Sequence, residues 1–354
     1  MKFSLFVHME RFDRRQSHAA LFAELEELVL LAEAGGMEAA WIGEHHAMEF
    51  TIAPNPFINI AYLGARTRRI RLGTGTVIAP FWHPIKLAGE AALADLATGG
   101  RLDLGIARGA YSFEYERLLP GLDAWTAGQR MRELVPAVER LWAGDYAHDG
   151  EFWKFPSTTV VPKPLQQPGP PVWIAARDPS SHEFAARNGW NVQVTPLASG
   201  DGEVTSLIER FREASRQHPR PAPRRIMLLM HTYVAEDEAD AARAAEELSR
   251  YYCYFGAWFL NKRPVEQGFI ADLESGEMAA MANYAPEVMR RALVIGTAGQ
   301  VAERLRLYAA LGYDQYSLWI DSGMSFARKR ASLLRFTAEV MPRLAAAPAD
   351  GVAA

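Results

Sequence analysis

The sequence predicts an α/β fold, a closed (β/α)8 TIM barrel with insertions, and three observations carry that expectation. Eight short apolar stretches alternate with segments of helical periodicity along the chain. At 354 residues the chain exceeds a usual single domain, yet barrels with insertions reach this length. No Gly-x-Gly-x-x-Gly follows the first apolar stretch, which weighs against an open dinucleotide-binding sheet.

Residues 3–7 read as the first strand and 21–34 as an amphipathic helix, with Leu21, Leu25, Leu28 and Leu31 near helical spacing and Gly35-Gly36 as its stop. The second strand, 38–43, opens directly into Glu44-His45-His46, and a loop containing Pro54 and Pro56 leads to a helix over 58–66. Residues 70–78 read as one third strand, where Gly73 and Gly75 predict a bulge or the close approach of another group, a place where a cofactor ring could lie. A helix follows Pro84 to about residue 96, then the fourth strand, 102–107, and a helix over 127–142.

Six prolines between residues 152 and 171 impose extended or turn geometry, so residues 150–171 read as an excursion from the barrel, not as a domain boundary. The fifth strand (172–175) precedes a helix over 181–188, the sixth (191–195) a polar helix over 203–217, and the seventh (226–234) a long helix from 236 through 251. Residues 261–286, of mixed polarity with Gly268 and Gly276, read as a mobile insertion. A helix over 299–311, the eighth strand (316–320) and a closing helix (326–344) complete a single domain over 1–345, with 346–354 as a frayed tail.

Composition narrows the function. Lys and Arg total 38 against 42 Asp and Glu, a net charge of -4, so no bulk electrostatic case exists for nucleic acid or an anionic membrane, and small molecules are the expected partners. Cys253 is the sole cysteine and stands in an aromatic run, which fits a core position and a reducing cytoplasm and excludes an intrachain disulfide. The first residues are strand-like and lack a signal-peptide pattern, and no apolar run of about 18 residues suggests a membrane span.

In a barrel the active site lies where the strand carboxyl ends converge. Collected by strand, the polar candidates are His8; Glu44, His45 and His46; Thr74 and Thr76; Arg108 with Tyr111; and Arg177, Asp178, Ser180 and Ser181. The last set precedes a helix, so its backbone N–H groups and hydroxyls could hold a phosphate with Arg108 supplying charge; Asp178 or Ser180 could equally be an N-cap alone. A metal site is not expected: adjacent strand residues point to opposite faces, so His45 and His46 cannot readily chelate one ion, and no His-Glu-x-x-His helix occurs. No Gly-x-Ser-x-Gly elbow supports nucleophilic catalysis.

Taken together, Trp41-Ile-Gly-Glu-His-His46, Gly73-Thr-Gly-Thr76 leading to His83-Pro84, Gly100 through Tyr111, Val172 through Gly189 and Ile295 through Arg304 resemble the bacterial luciferase-like, flavin-dependent monooxygenase family over nearly the whole chain. The resemblance implies a barrel that takes reduced FMN from a separate flavin reductase, forms a flavin C4a-hydroperoxide with O2 and oxygenates a small organic substrate. His45 matches the family histidine beside the reacting flavin edge, acting as base or hydrogen-bond partner, work suited to imidazole. Arg108, Arg177, Asp178, Ser180 and Ser181, with Ala176 beside them, match the phosphate-holding region, although Arg177 and Asp178 depart from the luciferase pattern. Gly75-Thr76 matches a bulge, often with a non-proline cis peptide, that supports the flavin ring; Glu44 and Tyr111 match its surroundings. Light-emitting members carry cysteine where this chain has Ala107, so nothing requires luminescence. The family also implies a homodimer paired through early barrel helices. A deazaflavin-dependent, hydride-transferring dehydrogenase of the same fold and a flavin-binding protein without turnover stand as alternatives.

Overall fold

The computed structural model describes residues 1–345; the expected frayed tail lies outside them. Eight parallel strands close into a barrel: β1 (Lys2–Val7), β2 (Ala39–Ile42), β3 (Arg71–Thr74), β4 (Leu102–Ala107), β5 (Val172–Ala175), β6 (Asn191–Val194), β7 (Ile226–Ala235) and β8 (Gln315–Trp319). Each pairs with the next, and β8 returns to β1 with Lys2 opposite Gln315. Around them run α1 (His18–Ala34), α2 (Pro56–Arg66), α3 (Pro84–Ala97), α4 (Ala124–Ala143), α5 (Pro179–Asn188), α6 (Gly200–Gln217), α7 (Glu238–Leu260), α8 (Ala298–Ala310) and α9 (Phe326–Arg335). The caps are local: Ser17, Asn55, Asp123, Asp178 and Asp237 each accept a backbone N–H in the first turn of the helix that follows.

Strand alternation divides the apolar residues into two cores. Leu5, Ile42, Leu72 and Leu104 face outward against Leu25, Ile60, Leu87 and Leu134 of the helices. Phe6, Trp41, Trp173, Met227 and Trp319 fill the inner side and continue into the aromatic residues of α7. Each fully buried side chain of this size contributes roughly 1.5–3 kcal/mol relative to exposure.

Glycine makes room for the inner layer. A Cβ on Gly73 would lie 2.2 Å from the Trp41 ring, so the close approach foreseen there is made by the barrel's own indole. A Cβ on Gly75 would lie 2.7 Å from the Phe6 ring.

Several boundaries differ from expectation. The third strand is broken after Thr74 by a cis Gly75-Thr76 peptide and resumes at Val77–Ile78, which pairs with β4. A short helix, Ser112–Leu118, follows Tyr111. A hairpin of Tyr146–Asp149 with Lys154–Thr158 begins just before the proline-rich excursion and runs into it. Residues 261–286 form a two-stranded hairpin, Val265–Glu266 with Phe269–Ile270, and a helix, Ser275–Ala280; Arg263 ties them together through Ala271, Asp272 and Glu277. A strand unforeseen in the sequence, Val294–Thr297, pairs with the end of β7. The closing helix passes through a π turn, Phe336–Val340, before Met341–Ala345. No helix among the described residues is long and apolar enough to cross a membrane.

Candidate active site

The strand ends converge on a cavity of about 310 Å3. Of the residues singled out from sequence, His8, Glu44, His45, Gly75, Thr76, Arg108, Tyr111, Ala176, Arg177, Asp178 and Ser181 border it; His46, Thr74 and Ser180 do not.

At the β2 end the two histidines separate. The His45 backbone N–H bonds to the Ala53 carbonyl at 3.0 Å, and its ring Nδ1 lies 3.1 Å from Glu114 Oε2. A carboxylate accepts, so Nδ1 carries the proton and Nε2 is left as the basic ring nitrogen. Glu114 is buried on the short helix, and its Oε1 accepts the His46 backbone N–H at 2.7 Å. His46 turns instead to Glu44, with Nε2 2.8 Å from Oε1. Glu44 Oε2 also accepts from the Ile78 N–H and Trp82 Nε1, both at 2.8 Å. Its carboxylate thus braces the cavity wall, and one ion cannot draw on both imidazoles while they face different carboxylates. The His8 ring stands 5.0 Å from that of His45. Burial first, then the nearby His45, drive His8 well below the ordinary histidine range, so it is neutral near pH 7.

At the β4 and β5 end the groups are exposed. Arg108 follows β4 and donates to the Ala124 carbonyl at 2.8 Å; Arg177 follows β5, its side chain 54% exposed and 3.9 Å from Glu203. Asp178 is the N-cap of α5: Oδ1 accepts the Ser181 N–H at 3.0 Å and the Ser180 hydroxyl at 2.7 Å, and Oδ2 accepts the Ser181 hydroxyl at 2.7 Å. Burial pushes this carboxyl up, but the serine hydroxyls and the N–H outweigh burial and hold it down at about 2. The capping reading of Asp178 is therefore observed. Ser180 is spent within the cluster, donating to Asp178 and accepting from Arg132 at 2.9 Å.

Sequence reasoning missed Glu114, 69 positions from His45, because no local pattern joins a strand end to a carboxylate on a later short helix. It also missed Arg132 and the rings of Phe255, Phe259 and Trp319, although the aromatic run after Tyr251 was a visible signal.

Comparison with known proteins places this arrangement. The family model for luciferase-like monooxygenases matches residues 1–315. The chain is 60% identical, over 99% of its length and 97% of the relative's, to the oxygenase component of flavin-dependent trigonelline monooxygenase from Acinetobacter baylyi. It is 29% identical to the alkanal monooxygenase alpha chain of the Kryptophanaron alfredi symbiont over 55% of each chain. Among solved structures, monooxygenase RslO1 from Streptomyces bottropensis superposes with a TM-score of 0.81 at 26% identity, covering 97% of this chain and 99% of that one. The FMN-bound oxygenating constituent of 3,6-diketocamphane monooxygenase from Pseudomonas putida shares the fold at a TM-score of 0.77 and 20% identity, covering 97% and 98%. The chain belongs to the luciferase-like monooxygenase family and is a flavin-dependent monooxygenase.

Proposed function

We propose that this chain is the oxygenase component of a two-component system, taking reduced FMN from a separate flavin reductase and using O2 to oxygenate trigonelline or a close relative of it. The observation that carries this reading is the 60% identity across nearly the full length to a trigonelline monooxygenase oxygenase component. That identity does not favour the deazaflavin dehydrogenase or the non-catalytic binder.

The cavity fits a flavin phosphate at one end and a reacting ring at the other. Arg108 and Arg177 are exposed cations beside the start of α5, where an anion would be held, with the Ser181 hydroxyl able to turn from Asp178 towards it. Gly75, Thr76, Ala176, Glu44 and Tyr111 supply the walls. Bound reduced FMN supplies the electrons that activate O2. The chain's own part is to hold the substrate and exclude water, and to let His45 Nε2 accept or return a proton while Glu114 keeps Nδ1 protonated.

A homodimer paired through α2 and α3 belongs to this reading: the two helices pack together, and Ile58, Leu93 and Leu96 are exposed on them. Light scattering should give twice the chain mass, and Leu93→Glu should shift it towards the single-chain value. A cytoplasmic enzyme fits the reduced, buried Cys253.

The test supplies NADH, an FMN reductase and trigonelline under 18O2. One labelled oxygen atom in the product, with trigonelline-dependent O2 consumption, is expected. Absence of label would overturn the substrate, and tight anaerobic preference for a deazaflavin over FMN would overturn the cofactor.

A further inference from the structure

The outer wall of the cavity has a feature beyond the proposed phosphate and proton-transfer groups. α7 carries Phe255 and Phe259 one turn apart, and both border the cavity. Their ring centroids are 5.0 Å apart; Tyr111 lies 5.0 Å from Phe259 and 6.3 Å from Phe255. Phe255 and Tyr111 are buried, whereas Phe259 is 43% exposed, so a molecule entering between the rings would cover it.

The electrostatics of this end favour positive charge. The buried Glu114 carboxylate is close enough to Tyr111 to add, after burial, to the upward push on its phenol. Its bonds go to the His45 ring and the His46 N–H, and no lysine or arginine among the described residues neutralises it. His8, the other imidazole here, is kept neutral by burial. Arg108, although it borders the cavity, donates to the Ala124 carbonyl and forms no ion pair with Glu114.

We propose that Tyr111, Phe255 and Phe259 form an aromatic cage that selects an N-alkylated, positively charged aromatic ring over a neutral ring of the same shape. This rests on the substrate reading above, since trigonelline is an N-methylpyridinium carboxylate, and it names the residues that would recognise it. Ring faces attract a cation through their quadrupoles, and the attraction strengthens when the cation is desolvated, whereas a neutral ring gains burial alone.

The test is calorimetric binding to the FMN-loaded enzyme of two matched pairs: N-methylnicotinate against 3-methylbenzoate, and N-methylpyridinium against toluene. The wild type is expected to bind the ligand with the positively charged ring about ten-fold more tightly, in each pair, than the isostere whose ring is uncharged. Phe259→Ala at the exposed rim, and Phe255→Leu, which keeps an apolar side chain in the buried position, should each bring that ratio close to one. Equal weakening of both members of each pair in both variants, or no preference for either pyridinium ring in the wild type, would overturn the cage. Binding of N-methylpyridinium without either acid would support the cage while overturning the trigonelline reading.

Discussion

At the β2 end of the cavity both carboxylates are buried and committed: Glu44 accepts from Ile78 and Trp82 and pairs with His46, while Glu114 joins His45 and His46. At the β5 end Arg177, Asp178, Ser180 and Ser181 are more open to solvent, and the serines bond chiefly to the carboxylate that caps their own helix. The difference matches what each end is proposed to hold. A proton-transfer group needs one orientation before substrate arrives, so its ring is fixed by buried bonds that cannot exchange with water. An anion brought in from solvent needs charge that can reorganise around it, so its binding groups stand in water.

If the buried end carries the chemistry, His45→Asn should have the largest effect. We expect oxygenation with supplied reduced FMN to fall about 100-fold or more, since a positioned acid or base contributes 10²–10⁴-fold. FMN affinity should change little, because the proposed phosphate site lies at the β5 end. Steady-state oxygenation and flavin fluorescence titration check both halves, and unchanged turnover would remove His45 from the reaction.

Glu114→Gln comes next. An amide has one accepting oxygen where the carboxylate has two, so either the His45 Nδ1–H or the His46 N–H loses its acceptor. Urea unfolding should show a loss of about 1–3 kcal/mol, with turnover reduced several-fold. Retained stability and turnover would show that His45 is oriented by other contacts.

The barrel was legible because its determinants are local: strand-length apolar runs, helix periodicity and breakers recur in order, and all eight barrel strands fall where the pattern places them. Val294–Thr297 was not legible, since this short strand exists only through pairing with the far end of β7. The site divided along the same line. His45, Arg108 and Asp178 sit at strand ends and could be read from position, and all three border the cavity. Glu114 could not, because its place is set by a tertiary contact between a strand end and a short helix 69 positions later. Gly73 was legible as a close approach but not as to its partner, because that partner, Trp41, is its register neighbour on β2, and strand pairing cannot be read from the residues of one strand.

The exposed end should respond more weakly and through salt. Arg108→Ala and Arg177→Ala are each expected to weaken FMN binding about ten-fold, the scale of one hydrogen bond to a charged group, and to flatten the dependence of affinity on ionic strength. Fluorescence titration at two salt concentrations measures this. Loss independent of salt would mean that the guanidiniums act by packing.

Asp178→Asn should give the smallest effect and sharpens the comparison most. Asparagine caps a helix about as well as aspartate, so stability at pH 7 should barely move, while removal of a negative charge next to Arg177 should tighten FMN binding a few-fold. The pH response separates charge from capping. The folded carboxyl, at about 2, lies below its ordinary value of 3.8, so its stabilising contribution is complete above that ordinary value and is lost as pH falls towards 2. Acid unfolding between pH 5 and 2 should therefore be shallower in Asp178→Asn than in the wild type. Superimposable curves would mean that the serine hydroxyls do not hold the carboxylate, and that the open end is as uncommitted at Asp178 as it is at its arginines.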